Sequence, residues 1–121
     1  MMVRMAISAT FIFALSELDD RFHALNDEIA ERARRIPGFL GEEAWHDETT
    51  GLHAEVYYWQ SRDALAQLAA LDTHLVAKRE AATWIPSYRV VIAEVIAAYG
   101  HPTLGLAHIP DGAPAPAPSA L

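Results

Sequence analysis

The stretch from Trp84 to Gly100, WIPSYRVVIAEVIAAYG, is apolar on both of its alternating sets of side chains. Tyr88, Val90, Ile92 and Ile96 make one set, and Val91, Ala93, Val95 and Tyr99 make the other. The β-branched and aromatic content reads as a strand. A strand in a small antiparallel sheet ordinarily keeps one face wet. This one demands a layer on each side, and the rest of the chain must supply them.

Working outward, the segment before it reads as helix. Ser61 is placed to cap a run with Leu65, Leu68 and Leu71 on one face, and Asp72 restarts it through Leu75, Arg79 and Ala82. The residue before Pro86 is biased to extended geometry, which ends that segment near Trp84. Upstream, FLGEEAWHDE and LHAEVYYWQ flank Thr49-Thr50-Gly51 and predict a hairpin with a glycine turn. Before that, Ser16 opens a helix with a stripe of Leu18, Phe22, Leu25, Ile29, Ala33 and Ile36, stopped by Pro37-Gly38. Residues 3–14 read as the first strand.

The order β-α-β-β-α-β is the ferredoxin-like split βαβ arrangement, an α+β fold. Its helices cover one face of a four-stranded antiparallel sheet and leave the other bare. A second copy of the sheet is the simplest cover for that face, which predicts a two-fold homodimer with its helices outside, a dimeric α/β barrel. The domain is expected to span residues 1–109. Residues 110–121, an Ala/Pro-rich tail with nothing to bury, are expected to be mobile and dispensable.

Composition narrows the function. Apolar residues make up 52% of the chain, which is high for a body with so much surface and favours a buried interface. The net charge of −7 argues against nucleic acid and anionic membranes as partners. With no cysteine, thiolate metal sites and cysteine nucleophiles are excluded. The opening MMVRMAISATFIFAL has the tone of a secretory signal, but Ser8 and Thr10 break it with strand-like alternation. A cytoplasmic protein is the expectation.

IPGFLGEEAW after the first helix, YYWQSRDAL from strand into helix, Thr73-His74 in the second helical segment and SYRVVIAEVIAAYG at the end share an order and spacing. In these pieces the chain resembles the antibiotic biosynthesis monooxygenase (ABM) domains, over roughly residues 3–100. The resemblance implies a dimeric α/β barrel. It also implies one of three activities: oxygenation of an anthrone or another polyketide phenol without metal or flavin, haem binding or degradation, or ligand binding without catalysis. In the oxygenases a substrate carbanion itself reacts with O2, so the protein supplies a dry cavity, donors for an oxyanion and a proton acceptor. The haem-degrading pattern is incomplete here. The first strand has no asparagine, Leu68 stands where a tryptophan is expected, and His74 falls earlier in its helix than the ligand would.

A cofactor-independent monooxygenase acting with O2 on a small aromatic molecule is therefore the leading expectation, with haem as the alternative cofactor. His74 is the first candidate base, although it reads equally as a haem ligand or as a hydrogen-bonded helix histidine. His53, Glu55, Tyr57 and Trp59 share one strand face. Tyr57 is the second catalytic candidate, and His53 a donor to bound phenolate. His53 and Glu55 also offer two metal ligands, without an evident third, so no metal is expected. Trp45, Trp59 and Trp84 offer rings on which a flat substrate would stack, and core or interface packing accounts equally for some of them. Tyr88 and Arg89 open the last strand beside Trp84, at an expected pocket mouth. There Arg89 either binds an anionic group of the substrate or pairs with an acidic neighbour across the dimer. Glu94, in the middle of an apolar strand, is expected to pair across the dimer.

Overall fold

The computed structural model describes residues 6–14, 20–84 and 87–99, with residue 20 and residues 81–84 described in backbone only. The Ser16 cap, Leu18, the tail from residue 110 and the Trp84 side chain lie outside the described residues. The elements are β1 (Ile7–Ala14), α1 (Asp20–Arg34), β2 (Phe39–His46), β3 (His53–Trp59), α2 (Arg62–Ala69), α3 (Asp72–Trp84) and β4 (Ser87–Glu94). The strands form one antiparallel sheet in the order β2-β3-β1-β4. This is the ferredoxin-like α+β fold, with the second helical layer divided into α2 and α3.

Local chemistry sets each boundary. Ser61 caps α2, its side chain accepting a hydrogen bond from Ala64 N at 3.2 Å. The hairpin turn is built on Asp47. Its carboxylate accepts from Thr49 N at 3.0 Å and Thr50 Oγ1 at 2.9 Å, and Gly51 takes the left-handed conformation at φ +74°. Those two hydrogen bonds hold the Asp47 carboxyl below its ordinary range. Gly38, at φ +97°, ends the turn after α1 where it passes under α2. A Cβ there would lie 2.8 Å from Ala64 Cβ. Gly38→Ala combines backbone strain with a clash and is expected to cost about 2–4 kcal/mol. Chemical denaturation checks this, and a midpoint equal to that of the parent would contradict it.

The three arginines at the end of α1 each find a carboxylate. Arg32 binds Asp72 at 2.5 Å and so ties α1 to the start of α3. Arg34 pairs with Glu42 on β2, and Arg35 with Glu31 one helical turn back. Arg21 adds a bidentate bond to Glu80, at 2.7 and 2.8 Å, between α1 and α3. These exposed pairs contribute little each to stability, but Arg21–Glu80 and Arg32–Asp72 join α3 to α1 at two points.

Alternation sends Ile7, Phe13 and Trp59 to the helix side. There Ile7, Ala33, Ile36, Trp59, Ala64 and Leu68 form the main buried cluster, and Phe13 and Phe22 form a second. The predicted stripe marks the side α1 buries: Phe22 and Ala33 are core, and Ile36 in the turn after the helix joins them.

One expectation from the opening stretch changes. Edge strand β4 is exposed along its whole length in the single chain, on the helix side as well as the bare side. Ile92 on the helix side is 58% exposed and Val91 on the other side 40%. The helix layer is therefore incomplete over β4, because α3 packs chiefly on α1 and α2 and not on the strands. Glu94 also departs from expectation. It meets Arg62 of its own chain at 2.9 Å, with both side chains exposed, so no partner subunit is needed to neutralise it.

Candidate active site

The gap left between the helix layer and the sheet is a cavity of about 500 Å³, within the size range of small-molecule sites. Its floor comes from β1 and β4, through Ala9, Phe11, Tyr88, Val90 and Ile92. Helix α1 contributes Phe22, Leu25, Asn26 and Ile29 to the cover. From α2 and α3 come Leu65, Leu68, His74 and Lys78, and β3 adds Glu55 and Tyr57. The surround is apolar with a few convergent polar groups.

His74 sits in the first turn of α3, which the Arg32–Asp72 bond and the Asp72 contact to Thr73 N anchor. Burial first, and the Lys78 ammonium second, push its imidazole below the ordinary histidine range, while the nearby Ala69 carbonyl acts in the other direction. The ring is thus neutral at physiological pH. Its Nδ1 has no hydrogen-bond partner among the described residues.

Tyr57 stands on β3 between Glu55 and Trp59, in edge contact with Phe39 at 6.1 Å. Burial, with Glu55 and Glu42 adding to it, raises its phenol well above the ordinary tyrosine value. The hydroxyl therefore keeps its proton and can act as a donor.

The remaining candidates divide. Tyr88 lines the cavity, packed edge-on to Phe11 at 5.7 Å. Trp59 is completely buried in the core beneath α2 and presents no surface to a ligand. His53 lies outside the cavity lining, stacked on His46 at 4.4 Å and on Phe13 at 5.4 Å near the hairpin. Arg89 pairs in register with Ile12, on the face turned away from the helices. The chain thus brings His74, Tyr57 and Tyr88 to one cavity and leaves His53, Trp59 and Arg89 out of it.

Sequence reasoning weighs Glu55 only as a metal ligand with His53, and passes over Asn26. In the structure Asn26 Nδ2 donates to Glu55 Oε1 at 3.3 Å inside the cavity. Burial above all, with Glu42 and Asp27 adding to it and Asn26 opposing it, raises the Glu55 carboxyl above its ordinary range. A signal was available: Asn26 is the polar interruption in the helical face of Phe22 and Ile29. Among the described residues, no group of three or more His, Cys, Asp or Glu could hold a metal ion.

The raised Glu55 carboxyl has a consequence for stability. It binds its proton more readily folded than unfolded, so folding loses stability as pH rises from the ordinary glutamate range through the raised one. Below both, the group is neutral in either state and costs nothing. Glu55→Gln is expected to raise the melting temperature at neutral pH, with the gain vanishing in acid. Melting curves across pH check this, and a gain that persists unchanged in acid would contradict it.

Fold and cavity together define a ferredoxin-like α+β domain with an apolar cavity between sheet and helices. No family model and no curated protein matches the sequence. Solved structures do match. SnoaB, a cofactor-independent oxygenase from Streptomyces nogalater, superposes in a mutant form with a TM-score of 0.67 at 12% identity, over 79% of this chain and 98% of that one. A candidate antibiotic biosynthesis monooxygenase from Nitrosomonas europaea gives a TM-score of 0.64 at 14% identity, over 80% and 95% of the two chains. Rv0793 from Mycobacterium tuberculosis gives 0.63 at 14%, over 78% and 97%. The chain has the fold of these proteins, an antibiotic biosynthesis monooxygenase candidate among them, and the likeness is one of fold.

Proposed function

We propose that this chain is a cofactor-independent monooxygenase that oxidises a small aromatic, polyketide-like molecule in the cavity between sheet and helices. The carrying observation is the convergence of a neutral His74, a protonated Tyr57 and an apolar surround at one cavity. His74 accepts an acidic C–H or O–H proton from the substrate, and Tyr57 donates to the oxyanion left behind. Tyr88, with Phe11, supplies the aromatic surface. The substrate carbanion gives its electrons to O2 and forms a peroxide. Loss of water then leaves a new carbonyl, so that anthrone and O2 yield anthraquinone and water. Apolar walls protect the carbanion from bulk water. Oxygen uptake with anthrone, in the presence of a chelator and without added flavin or haem, tests this reading.

The same proposal includes a homodimer. The sheet face turned from the helices carries Ile12, Val56, Tyr58, Val91 and Trp45, and Trp45 is 58% exposed in the single chain. Glu43 binds both Trp45 Nε1, at 3.2 Å, and Tyr58 Oη, at 3.4 Å, which orders that face. Burial together with Glu43 pushes the Tyr58 phenol up to about 12. An uncovered apolar sheet of this kind is suited to pack on its own copy. Light scattering is expected to give twice the chain mass of 13.3 kDa, and Trp45→Glu is expected to shift it toward one chain. A parent protein with the mass of a single chain would contradict this part.

No helix among the described residues is long and apolar enough to cross a membrane.

A further inference from the structure

The polar groups of the cavity belong to two walls with different chemistry. His74 and Lys78 come from α3. Asn26 and Glu55 come from α1 and β3, joined by their 3.3 Å hydrogen bond. Glu42 and Asp27 are the charges that add to the raised Glu55 carboxyl, while Lys78 is the charge that helps lower His74. Among the described residues Glu55 forms no salt bridge, and the Arg34 guanidinium nearby is engaged by Glu42.

A carboxyl placed in an apolar cavity with one amide donor keeps unused acceptor capacity, since an ionised carboxylate offers about four lone-pair sites. Leaving that capacity unmet is costly. The reaction proposed for His74 and Tyr57 does not use it.

We propose that the Glu55–Asn26 pair is the specificity element of this cavity, accepting a hydrogen bond from a hydroxyl of a neutral aromatic ligand. Asn26 holds the carboxyl in place, and the apolar floor takes the ring. The ligands selected are hydroxyarenes. A cationic amine also suits a carboxylate, but it would have to lose its hydration among apolar side chains with Lys78 lining the same cavity. A neutral hydroxyl has no such cost. This inference rests on the reading of the cavity as an aromatic site and is independent of the oxygen chemistry.

Equilibrium binding by calorimetry under nitrogen tests it, with naphthalene, 2-naphthol and 2-naphthylmethylammonium as probes. The parent protein is expected to bind 2-naphthol about tenfold more tightly than naphthalene, the scale of one hydrogen bond to a charged group. In Glu55→Leu the two are expected to bind alike, with a melting temperature no lower than that of the parent. Glu55→Gln, which keeps one acceptor oxygen, is expected to fall between. An unchanged naphthol preference in Glu55→Leu would overturn the proposal. So would tighter binding of the ammonium probe than of 2-naphthol, or no binding of either neutral probe. Because no turnover is read, the oxygenase reading fails only in its own assay, by absent oxygen uptake.

Discussion

His74→Ala is expected to lower oxygen uptake with anthrone about a hundredfold, the ordinary loss for a positioned general base. Two facts set this expectation. The imidazole lines the cavity, and burial with Lys78 holds it below the ordinary histidine range, favouring the neutral ring. The helix turn that carries it is fixed by Arg32 through Asp72 and does not depend on the imidazole. The fold should therefore survive, with a melting temperature within a few degrees of the parent. The loss should appear in kcat more than in KM, since the proton is transferred only in the reacting complex. Full turnover in His74→Ala would move the proton acceptor elsewhere, with Glu55 the next group in the same cavity.

Trp59→Ala is expected to have the largest effect on stability. Trp59 is the largest fully buried side chain among the described residues and part of the main cluster, with Phe39 in edge contact at 5.4 Å. Removing it leaves a cavity that the rigid sheet cannot close, at a cost of about 3–5 kcal/mol. Against a typical total of about 5–15 kcal/mol this is enough to leave the domain marginal. Trp59→Phe should lose much less. It keeps most of the ring and removes Nε1, a buried donor without a partner among the described residues. Urea denaturation of the two variants checks the pair, and an alanine variant as stable as the phenylalanine one would contradict it.

The fold is legible because its signals are periodic. The stripe runs through Ala33 on α1 to Ile36 in the turn after it, both core, and the helix itself ends at Arg34, ahead of Pro37-Gly38. Ser61 caps α2, and Asp72 begins α3. The apolar run at the end of the chain also marks a strand, but its cover differs from the expectation. Periodicity shows that a face is apolar and says nothing about whether a helix reaches it. On the helix side of β4 the layer stops short, and Tyr88, Val90 and Ile92 line a cavity there.

The site is legible only in part, because strand alternation assigns faces without ranking depth. His53, Glu55, Tyr57 and Trp59 do share one face. Along it, Trp59 lies in the core, Glu55 and Tyr57 reach the cavity, and His53 ends against His46 near the turn. Arg89 follows Tyr88 in sequence and for that reason points to the opposite face. The Asn26–Glu55 contact joins residues 29 apart on a helix and a strand. It depends on how α1 crosses β3, which no local spacing encodes.

If the cavity oxidises an aromatic substrate with the chain's own side chains and O2 alone, an oxygen electrode will register it with anthrone. The protein is first treated with chelator and shown by absorption to carry no flavin or haem. Uptake is expected well above the buffer rate, with one O2 consumed for each anthraquinone formed, and is expected to be lost in His74→Ala. Uptake equal to buffer, or uptake that appears only after hemin or flavin is added, would contradict the proposed oxygenase.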